Sequence, residues 1–234
     1  MLRTFAGIES KCRRKESICM HLRNLLVCVA ACMLFQATAG AVVFPVNCIT
    51  NNNATDCATA EAQLSINIQS LAAGFIHVTF NNTGPNASSI ADVYFDDIGD
   101  FIGPASASNP LVYAQSAGVD FGIGASPGNL PGGNAISFSA DYSSDSNSPT
   151  QPNGVNPGEF LTIQLALNSG ASLSDVLGGL GSTFNVGMHV QGFAGGGSES
   201  VMAVVPEPAH YALGLTAGLC LLFWRARRRG QLSS

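Results

Sequence analysis

Residues 160–167 narrow the fold more than any other stretch: Leu161, Ile163, Leu165 and Leu167 alternate with Thr162, Gln164 and Ala166. A period of two puts one apolar and one polar face on an extended strand. The pattern recurs. Leu64, Ile66 and Ile68 alternate with Ser65 and Asn67, and inward Ile76, Val78 and Phe80 alternate with outward His77 and Thr79. Residues 90–95, 111–115, 119–123, 135–140 and 184–190 read as further strands. Turn chemistry lies between them, in 81–86, in the Gly/Pro-rich 124–133 and in a long polar loop over 141–158. One short helix is expected after a Ser172 or Ser174 cap, with Asp175 in its first turn, and Gly178 and Gly179 keep it short. About seven to nine short strands at this spacing predict an all-β fold, an antiparallel β-sandwich with a barrel-like sheet as the competing architecture.

The charge pattern is one-sided. No Lys or Arg occurs between Arg23 and Arg225, whereas acids are spread through that interval. The chain's net charge of −5 therefore understates an anionic central domain. Nucleic acid and anionic lipid need cationic contacts, so both are excluded as partners of this domain. Cations, neutral polysaccharide, or solubility by like-charge repulsion fit the pattern.

Both ends read as addresses. His21 and Arg23 form a positive n-region after Met20, residues 25–35 an apolar core, and Ala37-Thr38-Ala39 a small-x-small cleavage site. This is an export signal, with Met20 as the expected start. At the other end, Val205-Pro206-Glu207-Pro208 precedes an apolar run over 209–224, then Arg225, Arg227, Arg228 and Arg229. The run is short for a membrane span of about twenty residues. The arginines on its far side place the C-terminus in the cytoplasm and the preceding domain outside. The expected organisation is an N-terminal extension and signal helix over 1–41, a β ectodomain over 42–194, a Gly/Ser linker over 195–204 and a tail with a transmembrane helix over 205–234.

The tail's order of Pro206-Glu207-Pro208, apolar helix and Arg cluster resembles the sorting tail of PEP-CTERM proteins of Gram-negative bacteria. Stretches 62–65, 93–97, 151–159 and 189–193 also resemble ectodomains that precede such tails. The resemblance implies an exosortase-type membrane transpeptidase as partner, transient residence in the inner membrane, and a mature protein at the cell surface or outside. It further implies a structural or adhesive role in the exopolysaccharide or biofilm layer. It implies no enzymatic activity.

Export fixes the reading of cysteine. Only Cys48 and Cys57 fall in the mature domain, and in an oxidising envelope they are expected to form a disulfide closing a small Asn/Thr-rich loop. Two thiolates with no nearby His are too few for structural zinc.

Site chemistry is sparse. Asp92, Asp96, Asp97 and Asp100 gather at a strand end, where hard oxygen ligands could hold Ca²⁺; the plainer reading is a solvated acidic loop. A surface-displayed Ca²⁺- or carbohydrate-binding module is therefore the alternative function. Gly124-Ala125-Ser126-Pro127-Gly128 matches a nucleophile-elbow pattern, but Pro127, Gly128 and Pro131 favour a turn. Asp120-Phe121-Gly122 spells a kinase metal motif in a domain without lysine. His77 and His189 lie in strands without a third metal ligand. A paired-carboxylate glycosidase needs aromatic walls, and the mature domain holds no Trp and only Tyr94, Tyr113 and Tyr142.

Overall fold

A computed structural model describes residues 42–106 and 108–205. Ten strands follow the period-two pattern: β1 (Val42–Cys48), β2 (Leu64–Gln69), β3 (Phe75–Asn82), β4 (Ser89–Asp96), β5 (Leu111–Gln115), β6 (Phe121–Ile123), β7 (Tyr142–Ser146), β8 (Glu159–Ala166), β9 (Asn185–Gln191) and β10 (Glu199–Ala203). They form one antiparallel sheet in the order β5-β8-β3-β2-β1-β10-β9-β4-β7-β6. β1 joins its two halves. Val42 to Pro45 pair with β2, and Val46 to Cys48 pair with β10. The end strands β5 and β6 approach each other, so the sheet is nearly closed and barrel-like. The all-β antiparallel expectation holds.

Alternation builds the core. Ile66, Ile68, Ile76, Val78, Phe80, Leu161, Ile163 and Leu165 point inward from one half, and Val93, Phe95, Val186, Met188 and Val190 from the other. Each such side chain contributes roughly 1.5–3 kcal/mol when fully buried. Phe95 packs between Phe80 and Phe184, with ring centroids 5.9 and 6.4 Å away. A smaller cluster of Tyr94, Leu130 and Phe138 lies on the other face of β4, beneath the loop after β6. Gly187 permits this layer, because a Cβ there would lie 2.6 Å from Leu130.

Several expectations are corrected. The loop between Cys48 and Cys57 runs into a helix, α1 (Ala54–Gln63), that begins before Cys57 and continues past it, capped by the Asn53 side chain, which accepts from the amides of Thr55 and Asp56. Its small and polar residues give no apolar period, so the cap was the only local sign. Within 135–140 there is a 3₁₀ turn, Gly133–Ile136, rather than a strand. The polar stretch 141–158 holds β7 and a single-turn helix, α2 (Thr150–Asn153). β10 lies inside the expected linker and is an interior strand, so the domain runs to at least Ala203. The expected helix is present as α3 (Leu173–Gly179), with a Ser172–Asp175 capping box. The signal segment and the tail lie outside the described residues, among which no helix is long and apolar enough to cross a membrane.

Cys48 and Cys57 form the expected disulfide, tying the end of β1 to the first turn of α1 with Cα atoms 5.5 Å apart. Closing so short a loop stabilises by about 2–3 kcal/mol through the unfolded chain. Reduction should lower the urea midpoint accordingly, with a slope equal to or slightly steeper than that of the oxidised protein; an identical midpoint in the reduced protein would refute that contribution.

Candidate functional site

No lysine or arginine between residues 42 and 205 is present to pair with the carboxylates there. Each buried acid must find hydrogen-bond donors or keep its proton. Asp97 takes the first course. Its oxygens accept from the amides of Phe101 at 3.0 Å and Ile102 at 2.7 Å, closing the turn after β4. Burial raises its pKa, and the two amides oppose that rise. The Asp97 amide donates to Asp141 at 2.7 Å. Asp96 accepts from the Asn185 amide across the β4–β9 pair at 3.1 Å. Asp100 sits in the left-handed region, φ 52°, and accepts from Asn168 at 3.0 Å.

Asp92 takes the second course. It is 4% exposed on the same face of β4 as Tyr94, in register with Asp145 on β7 and His189 on β9. Burial first, then the Asp145 charge and a hydrogen bond between the two carboxyls, push its pKa up to about 8. Burial with the neighbouring Asp92 and Asp145 also raises the Tyr94 phenol, whose hydroxyl donates to the Pro127 carbonyl at 3.0 Å.

The four acids of the expected Ca²⁺ site thus serve four separate contacts and do not converge. Among the described residues, the one group of three candidate ligands with atoms within 4.8 Å of one another is Cys48, Cys57 and Glu199. Both sulfurs there belong to the disulfide. The Ca²⁺ expectation for Asp92, Asp96, Asp97 and Asp100 is therefore corrected: strand alternation turns Asp92 and Asp96 onto the sheet face, while Asp97 folds back on its own turn.

Glu199 is fully buried in β10 and organises the disulfide loop. Its carboxylate accepts from the Thr50 hydroxyl at 2.5 Å and from the amides of Asn52 at 3.0 Å and Asn53 at 2.6 Å. Thr50 accepts in turn from the Ser200 amide at 2.9 Å. This carboxylate stands where α1 begins, so β10 sets the start of that helix.

The histidines lie on opposite halves. His189 Nδ1 is 3.3 Å from the Ser200 hydroxyl, and burial lowers its pKa against the pull of Glu199. Ser200 is itself fully buried, so its hydroxyl meets no substrate. Ser126 lies in the loop strapped to Tyr94 through Pro127, which agrees with the turn reading of 124–128. His77 Nε2 is 3.1 Å from Gln164 Oε1, and its ring meets Tyr113 edge-on at 4.4 Å.

The outer face around His77 differs from the acidic half. Cross-strand rows there read Gln69–His77–Gln164–Leu111, then Asn67–Thr79–Thr162, then Ser65–Asn81–Phe160. None of these side chains is an acid. Thr79 and Thr162 share a hydroxyl contact of 2.9 Å. Tyr113 and Phe160 stand 51% and 38% exposed at its β5–β8 side. The sequence signal for this face was present: the outward positions of three alternating strands carry amides and hydroxyls in a chain whose charges lie elsewhere.

Pro206, Glu207, Pro208, Arg225, Arg227, Arg228 and Arg229 lie outside the described residues. Comparison with protein-family models, with curated proteins and with solved structures finds no match.

Proposed function

We propose that this chain is an exported, non-enzymatic β protein, sorted through its C-terminal tail by an exosortase-type transpeptidase and displayed at the cell surface or in the extracellular matrix. Its role is structural or adhesive within an exopolysaccharide layer. The two half-sheets pack as a sandwich-like ectodomain, preceded by a signal helix and followed by a transient inner-membrane helix. One observation carries this reading: a disulfide-closed domain free of Lys and Arg stands between an export signal and a Pro206-Glu207-Pro208, apolar, arginine-rich tail. The disulfide suits an oxidising compartment. The anionic surface keeps an exported domain dispersed.

The test is the intact mass of the protein recovered from its native surface fraction. The expected mass lacks the N-terminal signal and the residues following the Pro-Glu-Pro segment. A mass that retains Arg225 to Arg229 would make the chain a plain membrane-anchored protein and overturn sorting.

A further inference from the structure

We propose that the outer face of β2, β3, β8 and β5 is a docking surface for a neutral polysaccharide chain. This inference deepens the matrix reading above and rests on it for the biological source of the polymer.

The chemistry of the face selects the ligand. Its rows carry amides, hydroxyls, one imidazole and the apolar Leu111 and Phe160, and no carboxylate. Amides and hydroxyls donate and accept together, as sugar hydroxyls do. An anionic polymer meets no lysine or arginine in the domain and a surplus of acids around it. A cationic polymer finds its partners on the acidic half instead. Tyr113 and Phe160 present exposed rings against which the C–H face of a pyranose can stack. Strands about 4.8 Å apart, with like-facing residues about 7 Å apart along each strand, form a regular grid on the outer side of the barrel-like sheet. An extended grid suits a polymer lying across it better than a small molecule seeking a cavity.

Two unpaired atoms point the same way. Asn67 Oδ1 and His77 Nδ1 are buried without a hydrogen-bond partner, and both residues belong to this face. Buried polar groups are ordinarily paired, so both carry unspent capacity. Tyr113 packs edge-on over His77, which is itself buried, and is half exposed, so the imidazole lies directly beneath a ring that a sugar can reach. Addition of a second copy through the β5 edge is disfavoured. The edge strand β5 shifts register between Val112 and Ala114, and such a bulge hinders addition of another strand.

The test is native gel electrophoresis of the mature protein through gels containing hydroxyethylcellulose, a β-1,3-glucan or galactomannan, with dextran sulfate as the anionic comparison. Retardation is expected in at least one neutral gel and not in dextran sulfate. Tyr113→Ala and Asn67→Ala should each weaken it about tenfold, as expected for losing a stacking or hydrogen-bonding anchor. Asp120→Asn, an exposed loop change away from the face, should leave it unaltered. Thermal melts of all variants separate lost binding from lost folding. No retardation in any neutral gel overturns the proposal, as does retardation that survives both face variants. A concentration-dependent dimer abolished by Tyr113→Ala, without retardation, assigns the face to a second copy and also overturns it. The intact-mass measurement fails or succeeds independently: an untrimmed chain that is still retarded upsets sorting alone, and a trimmed chain that is not retarded upsets this face alone.

Discussion

Asp92→Asn should stabilise the domain by roughly 3–5 kcal/mol at pH 8 and leave it nearly unchanged near pH 3. Burial beside Asp145 without a cation pushes the folded Asp92 carboxyl up to about 8 from its ordinary 3.8. Above pH 3.8 the unfolded chain sheds this proton while the folded domain keeps it. The unfolded state then binds fewer protons, so stability falls as pH rises, until the folded carboxyl also ionises near pH 8. An asparagine amide donates to Asp145 as the protonated acid does, and carries no proton to lose. His189, the neighbour on β9, has the opposite sign. Its lowered pKa withdraws stability as pH falls below its ordinary 6.5. Tyr94 is pushed upward, away from this window. The clean interval is therefore pH 6.5 to 8, read by urea midpoints at half-unit steps. The native domain should lose about 2 kcal/mol across it while the variant stays flat. Parallel curves for the two proteins would show that the carboxyl pair does not hold its proton.

The core was legible because burial enforces period two. Ile66 and Ile68, Val78 and Phe80, and Leu161, Ile163 and Leu165 all point inward as their alternation demands. The capped helix after Ser172 was legible for the same local reason, since the cap and Asp175 lie within one turn. What escaped depends on distant partners. α1 carries no apolar stripe and is held by Asn53, the disulfide and a carboxylate from the last strand. β10 follows three glycines and reads as a linker until its places beside β1 and β9 are known. Phe138 reads as a strand residue, yet it plugs a small second layer against Tyr94 and Leu130. The acidic quartet shows the limit most clearly. Its residues are close in sequence, but alternation and turning send their carboxylates to Asp145, Asn185, the Asp97 turn and Asn168. The uncharged face was visible only as scattered outward positions until pairing joined them into rows.

Glu199→Ala should cost roughly 4 kcal/mol, a large share of the stability of a domain this size. The carboxylate is fully buried and serves three donors: the Thr50 hydroxyl and the amides of Asn52 and Asn53. Alanine removes three part-buried hydrogen bonds to one carboxylate beneath the disulfide loop, and hydrogen bonds to a charged group contribute about 1.5–3 kcal/mol each, less where water reaches the donor. Glu199→Gln keeps one carbonyl acceptor but turns an amide N–H₂ toward donors, so it should lose about half as much. The order alanine, glutamine, native separates a hydrogen-bonding role from simple loss of volume. Hydrogen exchange gives the second readout. In the alanine variant the amides of α1 should exchange faster than those of β3 and β8, because Asn53, which caps α1, is held to β10 by Glu199. Reducing the disulfide in that variant should cost less than in the native protein, since both constraints act on the same loop and are not additive. A loss below about 1 kcal/mol, with α1 exchange unchanged, would show that the helix is set by its own cap and by Cys57 rather than by the last strand. The expected larger loss ties the first helix to β10, so the native conformation of the region between Cys48 and Cys57 depends on residue 199.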